Sequence, residues 1–284
     1  MKISVIVPFY NGNKYLNNLV RSIERVAINS RGSFEIIIVN DSPWIDVELP
    51  DTQIETRVLI NEENIGIQGT RINGIRNATG EWILMLDQDD ELVAEGFEKQ
   101  IELTKHADVV VGNGRYLLGN VNKKIYDNFK CMCYLIQKER FIKIRNLIPS
   151  PGECLIRKEI LPQVWMNNRL IKNGSDDWML WLLLFSCNAR FACNDLLVYI
   201  HNDAGGTNLS ANLDKMRESS LEMVEILRKN NVLEENELSR LEHSIHFKYY
   251  QDTKQLSVRR VIEFADALIS NVIYRLKLDM YKGN

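Results

Sequence analysis

In the first hundred or so residues, short runs of consecutive apolar residues alternate with longer stretches where apolar residues recur at helical spacing. Ile3-Ser4-Val5-Ile6-Val7 is a β-branched run halted by Pro8, and so predicts a strand. Leu16, Leu19, Val20, Ile23, Val26 and Ala27 then share one helical face. Phe34 to Val39 predicts a second, fully buried strand, closed by the turn cluster Asn40-Asp41-Ser42-Pro43. Arg57 to Ile60 predicts a third strand, Ile67 to Asn77 a helix, and Trp82 to Leu86 a fourth strand running into Asp87. A helix over Ala94 to Lys105 and a strand over Asp108 to Val111 follow.

Strands separated by helices of this length imply right-handed βαβ units and a largely parallel sheet. In such sheets ligands bind beyond the carboxyl ends of the strands. Asn11, Asp41 and Asp87 each fall just past a predicted strand end. Residues 120–150 carry no clear period. Asp176 to Asn188 predicts a buried helix and Leu196 to His201 a short strand. The pattern then turns helical over Leu213 to Asn230, Glu234 to Tyr250 and Leu256 to Tyr281.

Composition narrows the class. A chain of 284 residues with 45% hydrophobic content can bury a full α/β core. Its formal net charge of -3 gives no pull toward nucleic acid. The apolar start is too short for a signal peptide. The longest apolar block, Trp178 to Phe185, is far below the roughly 18 residues of a membrane span. Five cysteines without paired spacing read as reduced thiols of a cytoplasmic protein.

Asp87-Gln88-Asp89-Asp90-Glu91 places four carboxylates in five residues at a strand end. Mutual repulsion there is relieved by a hard divalent cation, which can also steady a departing diphosphate. The same acids would serve a helix N-terminus as a solvated cap. Residue types alone leave both readings open. A phosphohydrolase of the haloacid-dehalogenase type, with Asp87 as nucleophile, uses a related D-x-D pattern. Glu91 stands where that pattern has Thr or Val.

Taken in order, several segments resemble family 2 glycosyltransferases of the GT-A type, over about Lys2 to Thr207. Ser4 to Asn11 resembles the opening strand and nucleotide-contacting turn. Glu35 to Ser42 resembles the second strand and its D-D-G-S ending, with Asn40 for the first Asp and Pro43 after Ser42. Asn64-x-Gly66, Arg71, Gly74-Ile75 and Ala78-x-Gly80-Glu81 track the loop and helix ahead of the metal motif. Ile83 to Asp90 resembles that motif itself. The implied fold is a Rossmann-like mixed, mainly parallel sheet flanked by helices, with a C-terminal helical extension. The implied domains are a catalytic domain over 1–207, split into a nucleotide-binding half (1–112) and an acceptor half (113–207), and a helical region over 208–284.

The resemblance also implies roles. Pro8, Tyr10, Asn11 and Asp41 would hold the nucleobase and ribose of a UDP-type nucleotide-sugar. Arg71 would face the diphosphate or a core carboxylate. Asp87, Gln88 and Asp89 would meet ribose, sugar and a Mn²⁺ or Mg²⁺ ion, with Asp89 the direct ligand. Ile72 stands where the family usually has Asn after the Arg. His201 sits where the family often has a metal- or diphosphate-contacting histidine, followed by a glycine-bearing lid, Asn202 to Thr207.

Asn173-Gly174-Ser175-Asp176-Asp177-Trp178 precedes an apolar helix. Ser175 as N-cap and two acids at a positive helix end account for that composition. The family has an acidic pair here whose second member is the general base. Asp177 is thereby the expected base, with Asp176 beside it, and Trp178 a platform for an acceptor sugar. Pro149 to Cys154 resembles the acceptor-side loop.

The implied function is inverting sugar transfer onto an acceptor hydroxyl, with the family's habit pointing to bacterial surface polysaccharide. The rivals are the phosphohydrolase above and a non-catalytic nucleotide-sugar binder. The amphipathic stripe from Val258 to Leu276, with Arg259, Arg260, Arg275, Lys277 and Lys282 near it, suits packing on the catalytic domain. The alternatives are a homodimer face or peripheral contact with the inner face of a membrane bearing a lipid-linked acceptor, the latter weakened by Glu263, Asp266 and Asp279.

Overall fold

The computed structural model describes residues 1–118, 121–202 and 212–282. Two compact units interleave along the chain. One comprises Met1–Tyr126, Ser150–Leu161 and Ala189–Gly206; the other comprises Asp127–Pro149, Pro162–Asn188 and Thr207–Asn284.

The first unit is built on one mixed sheet. Its strands are β1 (Lys2–Phe9), β2 (Ser33–Asn40), β3 (Glu55–Ile60), β4 (Trp82–Met85), β5 (Glu91–Leu92), β6 (Val109–Leu118), β7 (Val121–Lys124), β8 (Cys154–Arg157) and β9 (Phe191–Asn202). The spatial order is β3-β2-β1-β4-β8-β6-β9-β5, with β7 paired to β6. β1, β2, β3 and β4 run parallel, with Phe9 opposite Asn40, Asn40 opposite Ile60 and Ile6 opposite Met85. Their carboxyl ends therefore lie along one edge. β8 runs antiparallel to both β4 and β6, and β9 rejoins parallel to β6.

Helices α1 (Asn13–Ile28), α2 (Gly66–Asn77) and α3 (Phe97–Leu103) complete this unit. Leu16, Leu19, Val20 and Ile23 of α1 and Phe97 of α3 pack with Ile3, Val5 and Val7 on one face of the sheet. α2 covers the other face, where a Cβ on Gly74 would press into Ile6 and Val39. Burial on both faces explains why β1 and β2 read as near-continuous apolar runs.

Several segments depart from the pattern-based expectation. α3 is shorter than Ala94 to Lys105, since Gly96 packs its backbone against Leu196 and Leu197. β6 and β9 are longer than expected, because they pair with each other past a register shift at Gly112 to Gly114. Their polar positions, such as Asn113 and Asn194, are buried and hydrogen-bonded, which hides the strands from hydropathy.

The second unit is helical: α4 (Phe129–Leu135), α5 (Lys138–Lys143), α6 (Gln163–Asn167), α7 (Asp176–Ser186), α8 (Leu213–Lys229), α9 (Glu235–Asp252), α10 (Val258–Glu263) and α11 (Ala265–Lys282). α7 is apolar on all sides and buried from Trp178 to Leu184, as a central core helix must be. The single helix expected over Leu256 to Tyr281 is broken at Phe264, which is buried and stacks on Tyr250 and His246. Much of the apolar stripe faces outward: Val258, Ile262, Ile269, Val272, Ile273 and Leu276 are all exposed. Among the described residues no helix is long and apolar enough to cross a membrane.

Candidate active site

The edge where β1 to β4 end is organised by side chains that bond to backbone. Asn40 Oδ1 accepts from the N–H and Oγ of Ser42, so the Asx-turn geometry belongs to Asn40 and not to Asp41. Ser42 Oγ in turn accepts from the N–H of Asn11, which holds a left-handed backbone at φ 51°. Asp41 is buried. Its Oδ1 accepts from Asn61 Nδ2 and the N–H of Ile65, both at 2.8 Å, and its Oδ2 accepts from the N–H of Gly66 at 3.0 Å. Gly66, at φ 77°, adopts a conformation open to glycine at little cost. Asp41 thus secures the start of α2, and Oδ2 keeps capacity for a further donor. Above it, Tyr10 and Trp44 stand exposed, edge to face at 6.1 Å.

The acidic segment follows β4. Arg71, buried on α2, gives Nη2 to Asp87 Oδ1 at 2.6 Å. Of the two partners expected for Arg71, the structure brings it to the carboxylate. Gln88 closes over the first turn: its Oε1 accepts from the N–H of Tyr10 at 2.9 Å and its Nε2 donates to the Tyr10 carbonyl at 3.0 Å. Any side chain at Gly12 would collide with that amide. Burial, with the negative charges of Asp90 and Asp87 close by, raises the Asp89 carboxyl from 3.8 to about 6.

Asp90 is the buried centre of this segment. Its Oδ2 accepts a very short hydrogen bond from Tyr199 Oη, and its Oδ1 accepts from the N–H of Asn202 at 3.0 Å. Nδ1 of His201 lies 3.0 Å from Tyr199 Oη and 3.3 Å from Asp90. Asn202 Nδ2 donates to the Asp89 carbonyl at 2.9 Å. The end of β9 is thereby fastened to the acidic loop. Burial disfavours charge on His201, but the Asp90 hydrogen bond and the surrounding carboxylates outweigh it and raise the imidazole above its ordinary value.

Asp89 and the acids beside it are hard oxygen donors, a donor set that fits Mg²⁺ or Mn²⁺ better than a soft metal. Among the described residues, no three His, Cys, Asp or Glu side chains are grouped so as to hold an ion alone. Asp87, Asp89 and His201 are therefore not a closed cage.

In the helical unit, Asp176 and Asp177 open α7. Asn146 Nδ2 donates to Asp177 Oδ2 at 2.9 Å, and Asn146 Oδ1 accepts from the N–H of Ile148 at 3.2 Å, which fixes the amide's direction. Asp177 Oδ1 accepts from the N–H of Trp178 at 2.7 Å. Ser175 occupies the N-cap position without capping, because its hydroxyl bonds to Ser220. Trp178 corrects an expectation. It is 7% exposed and its ring N–H donates to the Phe141 carbonyl, so it is a packing residue with no open face for a sugar.

Sequence reading did not single out Asn61, Asn146, Trp44, Asp90 or Tyr199. Asp90 was visible within the acidic run, but its partners lie more than a hundred residues away. The expected lid falls, beyond Asn202, outside the described residues.

A parallel α/β edge carrying a buried Asp after the second strand and an acidic loop after the fourth belongs with the GT-A nucleotide-sugar folds. The profile of glycosyl transferase family 2 matches residues 4–165, and the chain belongs to that family. It is 30% identical over 210 residues to an uncharacterized glycosyltransferase of Rickettsia felis, covering 73% of this chain and 34% of that protein. It is 28% identical over 180 residues to a dolichol-phosphate mannosyltransferase of Pyrococcus furiosus, covering 59% of this chain and 49% of that one. The chain thus spans about a third to a half of the length of these curated relatives. Among solved structures, S. aureus TarS 1-349 in complex with UDP-GlcNAc superposes with a TM-score of 0.62 at 18% identity, covering 94% of this chain and 80% of that one. The mannosyltransferase PcManGT of Pyrobaculum calidifontis, in complex with GDP-Man and Mn²⁺, gives 0.53 at 12% identity, covering 96% and 75%. At these identities the likeness establishes the fold, and family membership displaces the phosphohydrolase reading.

Proposed function

We propose that this chain is an inverting glycosyltransferase that moves a sugar from a nucleotide-sugar to an acceptor hydroxyl. The observation that carries this reading is the meeting of Asp41, the Arg71–Asp87 pair, Asp89 and His201 in one unit, at the edge where parallel strands end. Tyr10, with Pro8, Asn11 and Trp44 around it, offers an aromatic surface to a nucleobase, and Asp41 Oδ2 an acceptor to base or ribose. Asp87 and Gln88 line the route toward ribose and sugar.

Asp89 and His201 are the residues that would hold Mn²⁺ or Mg²⁺. Bound there, a divalent cation supplies the positive charge that steadies the diphosphate as it departs. The Mn²⁺ and nucleotide-sugars in the complexes of similar fold support this choice.

Asp177 is the proposed base. It takes the acceptor hydroxyl proton as that oxygen attacks the anomeric carbon. The bond from that carbon to the diphosphate breaks, and its electron pair leaves with the diphosphate. Attack from the opposite side inverts the centre. Asn146 orients the carboxylate by donating to Oδ2. A role in bacterial surface polysaccharide follows family habit.

The test is a thermal-shift screen of nucleotide-sugars with and without Mn²⁺, followed by transfer assays with the stabilising donor. Asp177→Asn is expected to keep donor affinity and to lose transfer by about 10²–10⁴-fold. Transfer at the unaltered rate would exclude Asp177 as base, and no shift with any nucleotide-sugar would exclude the reading as a whole.

A further inference from the structure

We propose that Asp90 is a positioning residue for His201: with Tyr199 Oη it fixes the ring proton on Nδ1 and leaves Nε2 as the nitrogen offered to a ligand. The inference rests on the reading above for the identity of that ligand, a divalent cation with a nucleoside diphosphate.

The argument is one of donors and acceptors. Tyr199 is fully buried, and its hydroxyl has a single hydrogen to donate. It spends its only proton on Asp90 Oδ2. Its oxygen can then only accept, and it lies 3.0 Å from His201 Nδ1. Both oxygens of Asp90 lie 3.3 Å from the same nitrogen, and both act as acceptors, Oδ2 toward Tyr199 Oη and Oδ1 toward the N–H of Asn202. A ring nitrogen facing acceptors alone must carry the hydrogen. The backbone on either side of the ring is held as well. Ile200 pairs with Glu91, and the N–H of Asn202 bonds to Asp90. An imidazole free in water favours the opposite tautomer, so the arrangement is imposed by these neighbours. Hydrogen bonds of this kind, from the far ring N–H of a ligating histidine to a carboxylate, set its orientation and basicity.

Two measurements on the full chain decide the matter. The first is ¹⁵N NMR of the four histidine side chains, above the imidazole titration, with the His201 signals assigned by their loss in His201→Ala. The unaltered protein is expected to show a pyrrole-like Nδ1 and a pyridine-like Nε2 for His201. The reverse pattern overturns the proposal without any need for an Asp90 variant to fold. The second is calorimetric affinity for UDP in the presence of Mn²⁺. Asp90→Ala is expected to lose about 10–100-fold. The same substitution should cost nothing further in a His201→Ala background. Equal losses in both backgrounds show that Asp90 does not act through His201, and sink the proposal. Should Asp90→Ala not fold, Tyr199→Phe, which removes one of the two acceptors, takes its place with a smaller expected loss. If the unaltered chain binds neither UDP nor GDP with Mn²⁺, the nucleotide-sugar reading fails, and the ligand half of the proposal with it. The NMR pattern still decides the tautomer.

Discussion

Two groups of acids in the sheet unit have been treated in opposite ways. Glu35, in the middle of β2, is fully buried, yet it is surrounded by partners. It accepts from Ser4 Oγ, from the N–H and Oγ1 of Thr79 and from the N–H of Gly80, and it pairs with Arg57 and Lys2. Burial opposes its charge, but hydrogen bonds from Ser4 and Thr79 and the charge of Lys2 pull it from 4.5 down to about 2. Asp89 is buried among other carboxylates and is pushed up to about 6. The fold completes the first site by itself. The second keeps negative charge that only something from outside can balance. A carboxylate serving the fold and one reserved for a ligand can thus be told apart by whether their neighbours answer their charge.

The contrast can be broken by substitution. The largest effect is expected at Glu35→Ala, which takes the acceptor from the N–H and Oγ1 of Thr79 and from Ser4 Oγ, while Arg57 keeps the Asn77 carbonyl and the Gly80 N–H keeps Ser4 Oγ. Urea denaturation should show a loss of about 3–5 kcal/mol. A loss near zero would mean that the ring of partners does not matter. Because the folded-state value of Glu35 is depressed, its contribution is present above 4.5 and disappears as pH falls toward about 2. A flatter acid limb in Glu35→Gln would check that sign.

Next in size is Asp89→Ala, expected to weaken Mn²⁺-dependent UDP binding by roughly 100-fold, at the upper end for groups that support a metal site. Retained Mn²⁺-dependent affinity would contradict the assignment of Asp89. For the unaltered protein, the same affinity should decline as pH falls through about 6, where Asp89 takes up its proton. The smallest effect is expected on stability. Asp89→Asn removes a charge the fold does not answer, and should raise the urea midpoint at pH 8, by about 1 kcal/mol in unfolding free energy once solvent screening is allowed for. Its raised value means that the ionised form costs stability above about 6, a cost relieved as pH drops below it.

Apolar periodicity made β1, α1, β2 and β4 legible in the sequence, because each buries a simple pattern. The chemistry at strand ends was legible as positions: Asp41, Asp87 and Asp89 lie where a parallel sheet presents its ligands. What stayed hidden was pairing across distance. Glu35 sits inside a run of isoleucines, and nothing local shows that Ser4 and Thr79 will receive it. Asp90 looks like one more acid in a row until β9 brings Tyr199 and His201 to it. Asn146 falls in a stretch with no period at all, and only the folded helical unit sets its amide against Asp177. The apolar stripe along α10 and α11 was legible as a period, but a stripe does not say which of its sides turns inward, and Ile269, Val272, Ile273 and Leu276 lie exposed.

The reciprocal bonds between Gln88 and the backbone of Tyr10 carry a mechanical consequence. Two loops that leave different strands are stapled into one piece, and the missing side chain at Gly12 is what lets the staple close. The exposed aromatic ring of Tyr10 and the start of the acidic loop are thereby held at one fixed spacing.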